Sequence, residues 1–455
     1  MERKSSKRPE IWGGIECSFN RVKDLYMDQL HYCGHYQRTL EDIDHIAALG
    51  IKAMRYPVIW ERLHPYPGHT IDWHSVDVPL NALRNHGVKP VVGLVHHGSG
   101  PRYADILSDA FVHGLSNFAR KVAVKFPWIE YFTPVNEPLT TARFSALYGF
   151  WFPHRRSDRA FAQALVNEMK AVVMSMREIR KINPDAKLVQ TEDLTKIYST
   201  PHLRYQANFE NHRRWLTCDF LCGMVTREHP LWDYFIRQGI TEDSLSFFVD
   251  NPCPPDIIGL DYYATSERFL DEDLRKYPPA KHGSNHLERY ADVEAFRVRH
   301  GQPSGIKLLL RECWERYHLP MIVTEVHINC DFDNQIRWFS EIRNACISLM
   351  NTGVDIKAVT AWSLFGSYGW NSLLTKIKGE YESGVFDLSS GIPVPTPVAD
   401  YLIRLEEDPW YVHPVESEKG WWCLEDRFIF DGYAESELVE AEMSETGCDL
   451  KGEEL

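Results

Sequence analysis

No run of about 18 consecutive apolar residues occurs anywhere in this 455-residue chain, so no segment reads as a membrane-spanning helix. The amino terminus, Met1 to Arg8, is basic but lacks the apolar stretch of a secretory signal. Positive charge is scarce. Lys and Arg number 50 against 64 Asp and Glu, a net of −14, which argues against a nucleic-acid or membrane-surface partner. The ten cysteines form no regular framework, and without a secretion signal they read as reduced thiols of a cytoplasmic protein. Cys218 with Cys222, and His31 with Cys33 and His35, are the groupings nearest to a metal site. Neither has a second ligand pair at zinc-like spacing, so both read as buried thiols and loop histidines. No glycine loop of the phosphate-cradling kinds stands out, which argues against a nucleotide-dependent activity. No tandem repeat or low-complexity linker divides residues 10–410.

What is present is an ordinary globular composition, 44% hydrophobic and 25% charged. Aromatics reach 13%, with 14 Trp and 21 Tyr; flat rings fill large cores and also stack on the apolar faces of sugars. Half of the negative charge is local. Residues 434–455 carry eight acids against Lys451, and few large apolar groups, as expected of a solvated extension. Short β-branched runs alternate with longer amphipathic stretches, the pattern of a parallel sheet with crossover helices. Eight strands are expected near Ile11–Ile15, Ile51–Pro57, Lys89–His96, Glu130–Asn136, Lys187–Glu192, Asp256–Tyr263, Met321–Glu325 and Ala358–Trp362. Helices such as Tyr36–Leu49, closed by Gly50, and Phe161–Asn183, followed by Pro184, separate them. Eight such units in about 400 residues predict one α/β domain, a (β/α)8 TIM barrel over 11–415. A flexible 1–10 precedes it, a segment 416–433 packs on or near it, and the acidic, disordered tail 434–455 follows.

The strand ends carry chemistry. Arg55, His96, Asn136 with Glu137, Glu192, Tyr263, Glu325 and Trp362 each close an apolar run. In such a barrel all eight carboxyl ends meet on one face, where active sites form. Glu137, in Thr133-Pro134-Val135-Asn136-Glu137-Pro138, ends the fourth strand; Glu325, in Met321-Ile322-Val323-Thr324-Glu325, ends the seventh. Two opposed carboxyl groups are what acetal cleavage requires, one to protonate the leaving oxygen and one to attack the anomeric carbon or activate water. Their proton affinities must differ, which burial and hydrogen bonding impose. The competing reading is that each merely caps a strand or pairs with a cation.

The segment around Glu137 resembles the Asn-Glu-Pro acid/base motif of glycoside hydrolase family 1, the retaining β-glycosidases, and Val323-Thr324-Glu325 resembles that family's nucleophile motif. The likeness runs over most of residues 10–405. Ile11-Trp12-Gly13-Gly14, Met54-Arg55-Tyr56 with Trp60, Val92-Gly93-Leu94-Val95-His96, Ile257 to Tyr263 and Ala361-Trp362-Ser363-Leu364 resemble its first, second, third, sixth and eighth strands. The resemblance implies a retaining mechanism with Glu137 as acid/base and Glu325 as nucleophile. It also implies that Arg55 and Tyr263 hold Glu325 oriented and ionised, that Asn136 grips the sugar 2-hydroxyl and His96 another hydroxyl, and that Trp362 forms part of the sugar platform. No cofactor and no metal are called for, and the partner expected is a carbohydrate substrate.

The departures bear on substrate. Asn20 stands where the family carries Gln, and Gly369, before Trp370, stands where it carries an acid that binds the outer hydroxyls O4 and O6. Without that carboxylate a plain glucoside loses two charge-assisted hydrogen bonds, so the expected terminal sugar differs from glucose at O4/O6. Val326 and His327 follow the nucleophile in place of Asn/Ser-Gly; His327 reads equally as a substrate contact or a loop residue. Residues 264–302 read as an insertion over the active face. Two alternatives accompany the hydrolase, a transglycosidase using the same glutamates and a non-catalytic carbohydrate-binding barrel. Oligomeric state is left open.

Overall fold

The computed structural model describes residues 7–298 and 305–430. Residues 1–6 of the expected flexible amino terminus and the expected acidic tail, 434–455, lie outside these. All eight expected strands form: β1 (Glu10–Gly14), β2 (Ala53–Pro57), β3 (Lys89–Gly93), β4 (Tyr131–Thr133), β5 (Lys187–Asp193), β6 (Ile257–Tyr262), β7 (Met321–Val326) and β8 (Ile356–Ala361). Each pairs in parallel with its sequence neighbours, and β1 pairs with both β2 and β8, closing the barrel. β4 is shorter than the expected Glu130–Asn136. Pro134 has no N–H to give, and after it a single bridge, His96 to Asn136, resumes the contact with the neighbouring strand.

The crossover helices owe their position to local sequence. Asp158–Arg180 starts where the Ser157 hydroxyl accepts from the Ala160 N–H, has Asp158 in its first turn and Arg177 and Arg180 in its last, and stops just before Pro184. Its apolar face, including Phe161, Leu165, Met169, Val172 and Met176, is fully buried against the sheet and neighbouring helices.

Inside the barrel, side chains alternate by twos along each strand and stack in layers. The lowest layer is apolar: Trp12, Ala53, Val91, Val189, Ile257, Ile322 and Ala358. Two residues further along stand Gly14, Arg55, Thr191, Gly259 and Thr324. The fit here is tight: a Cβ on Gly259 would lie 2.8 Å from Thr324 Cγ2 and 2.9 Å from Thr191 Cγ2. Two residues further again, the interior turns to acids, with Glu16, Asp193 and Asp261. On β7 the pairing with β6 shifts between Val323 and Glu325. The break in alternation lets Thr324 and Glu325 both reach the interior.

The expected insertion carries a four-stranded sheet of its own. Lys196–Ser199, following β5, pairs with Glu267–Asp271, which leads through Arg289–Glu294 to His282–Ser284. It follows the carboxyl ends of β5 and β6, has a small core of Tyr198, Phe269, Tyr277 and Val293, and packs against Phe430. Beyond the last long helix, Pro397–Glu407, the Trp422 indole N–H donates to Glu341 Oε2 (2.8 Å) and its ring meets Trp338 edge-on.

Candidate active site

The barrel brings Glu137 and Glu325 to one point. Glu137 caps the five-residue helix Pro138–Ala142 and has a left-handed backbone, φ 42° and ψ 61°, a conformation that costs a non-glycine residue about 1–3 kcal/mol. The surroundings hold it there. Glu192, at the end of β5, accepts from the N–H groups of Leu139 and Thr140 and from the hydroxyls of Thr140 and Thr217 (2.6–3.4 Å). Glu192 thus anchors the turn that aims Glu137 inward, and burial pushes its own carboxyl up to about 7.

Glu325 is gripped from two strands. Arg55 Nη1 donates to Glu325 Oε1 at 2.6 Å and to the Thr324 carbonyl at 3.0 Å, and the Tyr263 hydroxyl donates to Glu325 Oε2. Arg55 Nη2 donates to Asn136 Oδ1 at 2.5 Å, as does the Thr191 hydroxyl at 2.6 Å. With its oxygen so engaged, Asn136 is left its amide group; Nδ2 donates to His96 Nε2 at 3.2 Å, and its second N–H has no acceptor among the described residues. His96 Nε2 is therefore the acceptor, and Nδ1 faces the Cys17 thiol at 3.3 Å. The His96 ring stacks on Trp362 at 5.8 Å and 5°, and Arg55 lies 4.6 Å from the centre of that indole.

Asp261, 0% exposed on β6, is the third acid. One carboxyl oxygen from each of Glu137, Asp261 and Glu325 lies within 4.8 Å of the others. Among the described residues this is the one grouping with the spacing of a metal site; the Arg55 and Tyr263 hydrogen bonds already occupy Glu325. Burial, and then the charge of Asp261, raise Glu325 to about 8 against the opposing pull of Arg55 and Tyr263. Burial, followed by Asp261 and Glu325, holds Glu137 well above the usual carboxylate range. The two donors thus orient Glu325, while burial decides its protonation. His97 Nε2 stands 3.6 Å from Glu137 Oε2, and its Nδ1 faces the Thr141 hydroxyl. Burial pushes His97 down to about 3 and His96 well below its usual range, so both rings are neutral.

The remaining expected residues divide. Trp370 joins the site: its indole N–H donates to Glu16 Oε2 at 2.9 Å, and its ring meets His97 edge-on at 5.5 Å. Asn20 is fully buried with its amide donating to the Leu374 carbonyl at 3.2 Å and its own oxygen without a donor. The Trp151 indole N–H is likewise taken by the Leu373 carbonyl at 2.7 Å. The loop after β8 thus folds back over these two polar side chains. Gly369 has φ +79°. His327 turns from the barrel to Glu382, Nε2 to Oε2 3.1 Å. His35 is spent on Asp42 (2.8 Å) and Tyr56 (3.0 Å), while His31 and Cys33 make separate contacts.

Sequence reasoning assigned no role to Asp261, Glu16, His97, Thr191 or Trp151. The first two had a signal: Asp261 precedes Tyr263 by two and shares its face, and Glu16 follows Trp12 and Gly14 by the same step.

A protein-family model, glycosyl hydrolase family 1, matches residues 7–379. Beta-glucosidase A of Thermotoga maritima is 22% identical over 377 residues, 74% of this chain and 79% of that protein. Cyanidin 3-O-glucoside 7-O-glucosyltransferase (acyl-glucose) of Delphinium grandiflorum is 22% identical over 414 residues, covering 80% and 78%. The solved structure of a beta-glucosidase from Thermotoga maritima in complex with deoxynojirimycin superposes with a TM-score of 0.70 at 17% identity, over 88% of this chain and 99% of that one.

Proposed function

The chain belongs to glycosyl hydrolase family 1, and from that premise we propose that it cleaves a β-glycoside with retention of configuration, Glu325 attacking the anomeric carbon and Glu137 protonating the leaving oxygen. The observation that carries the reading is that one carboxyl oxygen of Glu137 and one of Glu325 lie within 4.8 Å of each other. Retaining enzymes need about 5–5.5 Å and inverting ones about 6.5–9.5 Å, to admit a water. An oxygen–oxygen approach this close is compatible with direct attack by Glu325.

In the reaction a glycosidic C–O bond breaks as a bond forms from Glu325 to the anomeric carbon. The departing oxygen takes the Glu137 proton. Glu137, now ionised, draws a proton from water, whose oxygen releases the sugar from Glu325. Arg55 and Tyr263 fix the nucleophile; the second N–H of Asn136 faces the position of a 2-hydroxyl, where a hydrogen bond strengthens as positive charge develops. His96 offers no free ring nitrogen until Asn136 or Cys17 gives way to a hydroxyl. Trp362 and Trp370 supply ring faces to the sugar. Transfer to an alcohol uses the same steps with the alcohol in place of water, and product yields with added acceptor separate the two outcomes.

For the sugar, the absence of an acid at 369 supports a ring that is deoxygenated or substituted at O4/O6. A second reading rests on Glu16. Its carboxyl group, held by the Trp370 indole and the Ser18 N–H, offers just after β1 an acceptor of the kind that position 369 lacks. A panel of gluco-, galacto-, fuco-, xylo- and rhamno-configured nitrophenyl glycosides decides between them, run with wild type and Glu325→Ala. Turnover of a deoxy or substituted sugar far above the glucoside, abolished in the variant, supports the first. A plain glucoside that rivals every analogue favours Glu16, and turnover that survives in Glu325→Ala overturns the assignment of the nucleophile. For location, the nine cysteines described are all unpaired, which supports a reducing compartment such as the cytoplasm.

A further inference from the structure

Three acids share the interior with one guanidinium. Were Glu137, Asp261 and Glu325 all ionised, Arg55 would leave two negative charges uncompensated in a buried site, an arrangement that proton uptake relieves. Burial raises the carboxyl of Asp261, and the charge of Arg55 and the Thr324 hydroxyl oppose it in favour of the ionised form. Asp261 Oδ1 accepts from the Thr324 hydroxyl at 2.6 Å, and Arg55 Nη1 lies 3.9 Å from the same oxygen. Oδ2 is buried and has no donor among the described residues, while a carboxyl oxygen of Glu137 lies within 4.8 Å of one of Asp261. A hydrogen carried by Glu137 would satisfy that oxygen.

We propose that Asp261 is a positioning residue of the two-glutamate reaction: held ionised by Thr324 and Arg55, it accepts the proton that Glu137 carries and keeps Glu137 in its acid form until a glycosidic oxygen replaces Asp261 as the acceptor. The inference rests on the roles proposed for the two glutamates. Asp261 is not consumed. The proton moves from Glu137 to the leaving oxygen, and the later proton from water restores the Glu137–Asp261 contact. The other titratable groups facing the cluster include Glu16 and Cys17 after β1, His97 after β3, Glu192 and Asp193 on β5 and Tyr263 after β6. None of these is a cation near neutrality; burial holds His97 neutral.

Asp261→Asn keeps the side-chain shape and removes its charge. Loss of a like charge at this range lowers both neighbouring carboxyls by about 1–2 pH units. Both limbs of the kcat/KM profile are therefore expected to move to lower pH together, the acid limb through Glu325 and the alkaline limb through Glu137. A fall in rate with both limbs in place marks a merely structural role and overturns the proposal. An infrared titration supplies a reading that needs no turnover. The protonated-carboxyl absorption of Glu137, isolated as wild type minus Glu137→Gln, is expected to persist at pH 7. In the Asp261→Asn background it is expected to vanish at a pH lower by the same interval. An unmoved transition overturns the role of Asp261 even if no glycoside is ever found to turn over, which separates this failure from failure of the glycosidase reading. Should Asp261→Asn not fold, the wild-type difference spectrum decides: a protonated Glu137 at pH 7 supports the shared proton, and an ionised one refutes it.

Discussion

Replacing Arg55 by Gln tests how the barrel controls its nucleophile. The guanidinium lies 2.6 Å from Glu325 and 3.9 Å from Asp261. At an effective dielectric constant of about 20 these contacts correspond to about 6 and about 4 kcal/mol of attraction, much of it offset by desolvating the cation. Without it Glu325 takes up a proton more readily. Loss of an opposite charge at this distance raises a carboxyl by about 1–3 units, from a starting point near 8. Each unit lowers the ionised fraction tenfold at pH 7, so kcat/KM there falls by about 10- to 1000-fold and recovers as pH rises. The acid limb of the profile moves upward by the same 1–3 units, opposite to the shift expected for Asp261→Asn. Arg55→Lys, which keeps the charge but not the fork that also holds Asn136, should move that limb by less than about one unit while still losing rate. Stability follows in sign. A carboxyl raised in the folded state stabilises below its unfolded value and loses that contribution as pH rises through the folded one. The Arg55→Gln protein should therefore go on losing stability above pH 8, where wild type has finished. The assay is kcat/KM on any aryl glycoside that proves a substrate, with urea melts from pH 5 to 10. An acid limb that stays put in Arg55→Gln refutes the reasoning.

Glu137→Gln should lower kcat by about 10²–10⁴-fold on substrates with poor leaving groups and far less on dinitrophenyl glycosides, which depart without a proton; equal losses on both would assign the acid elsewhere. Glu61, buried with one oxygen on the Gly100 N–H and the other without a donor, is pushed up by burial to about 7. Its contribution to stability is present below about pH 4.5 and lost as pH rises through 7, so Glu61→Gln should remove up to about 3 kcal/mol of pH dependence between melts at pH 5 and pH 8; an unchanged dependence contradicts the shift. Gly259→Ala places a methyl group 2.8 Å from Thr324 Cγ2, and overpacking of this layer should cost about 1–3 kcal/mol in a urea melt and also reduce turnover by displacing the acids above it. A variant as stable and active as wild type would show that the layer yields.

Much of this was legible in the sequence because a parallel barrel writes its strands as apolar runs. All eight were found, and the residues that end them were rightly sought on one rim. Arg55, Asn136, Glu137, Tyr263 and Glu325 do converge. Glu192 was also placed on that rim, yet its carboxylate faces the first turn of the Pro138–Ala142 helix, a job visible only once the backbone is traced. Asp261 and Glu16 were passed over because attention went to strand ends, whereas the barrel presents every second residue to its interior. The loop carrying Leu373 and Leu374 left no periodic signal; both residues are left-handed without being glycine, and only three-dimensional context shows them reaching Asn20 and Trp151. The sheet inside 264–302 was hidden for a related reason. Its strands are three to six residues long, and one partner, Lys196–Ser199, comes from the previous loop.

The most direct test of the account is to trap the intermediate. The enzyme is incubated with a 2-deoxy-2-fluoro β-glycoside of its preferred sugar, digested, and the sugar-bearing peptide located by mass spectrometry. One covalent adduct is expected, on Glu325, formed as activity is lost. Turnover with no adduct and inverted product, or an adduct on Asp261 or Glu137, would contradict it.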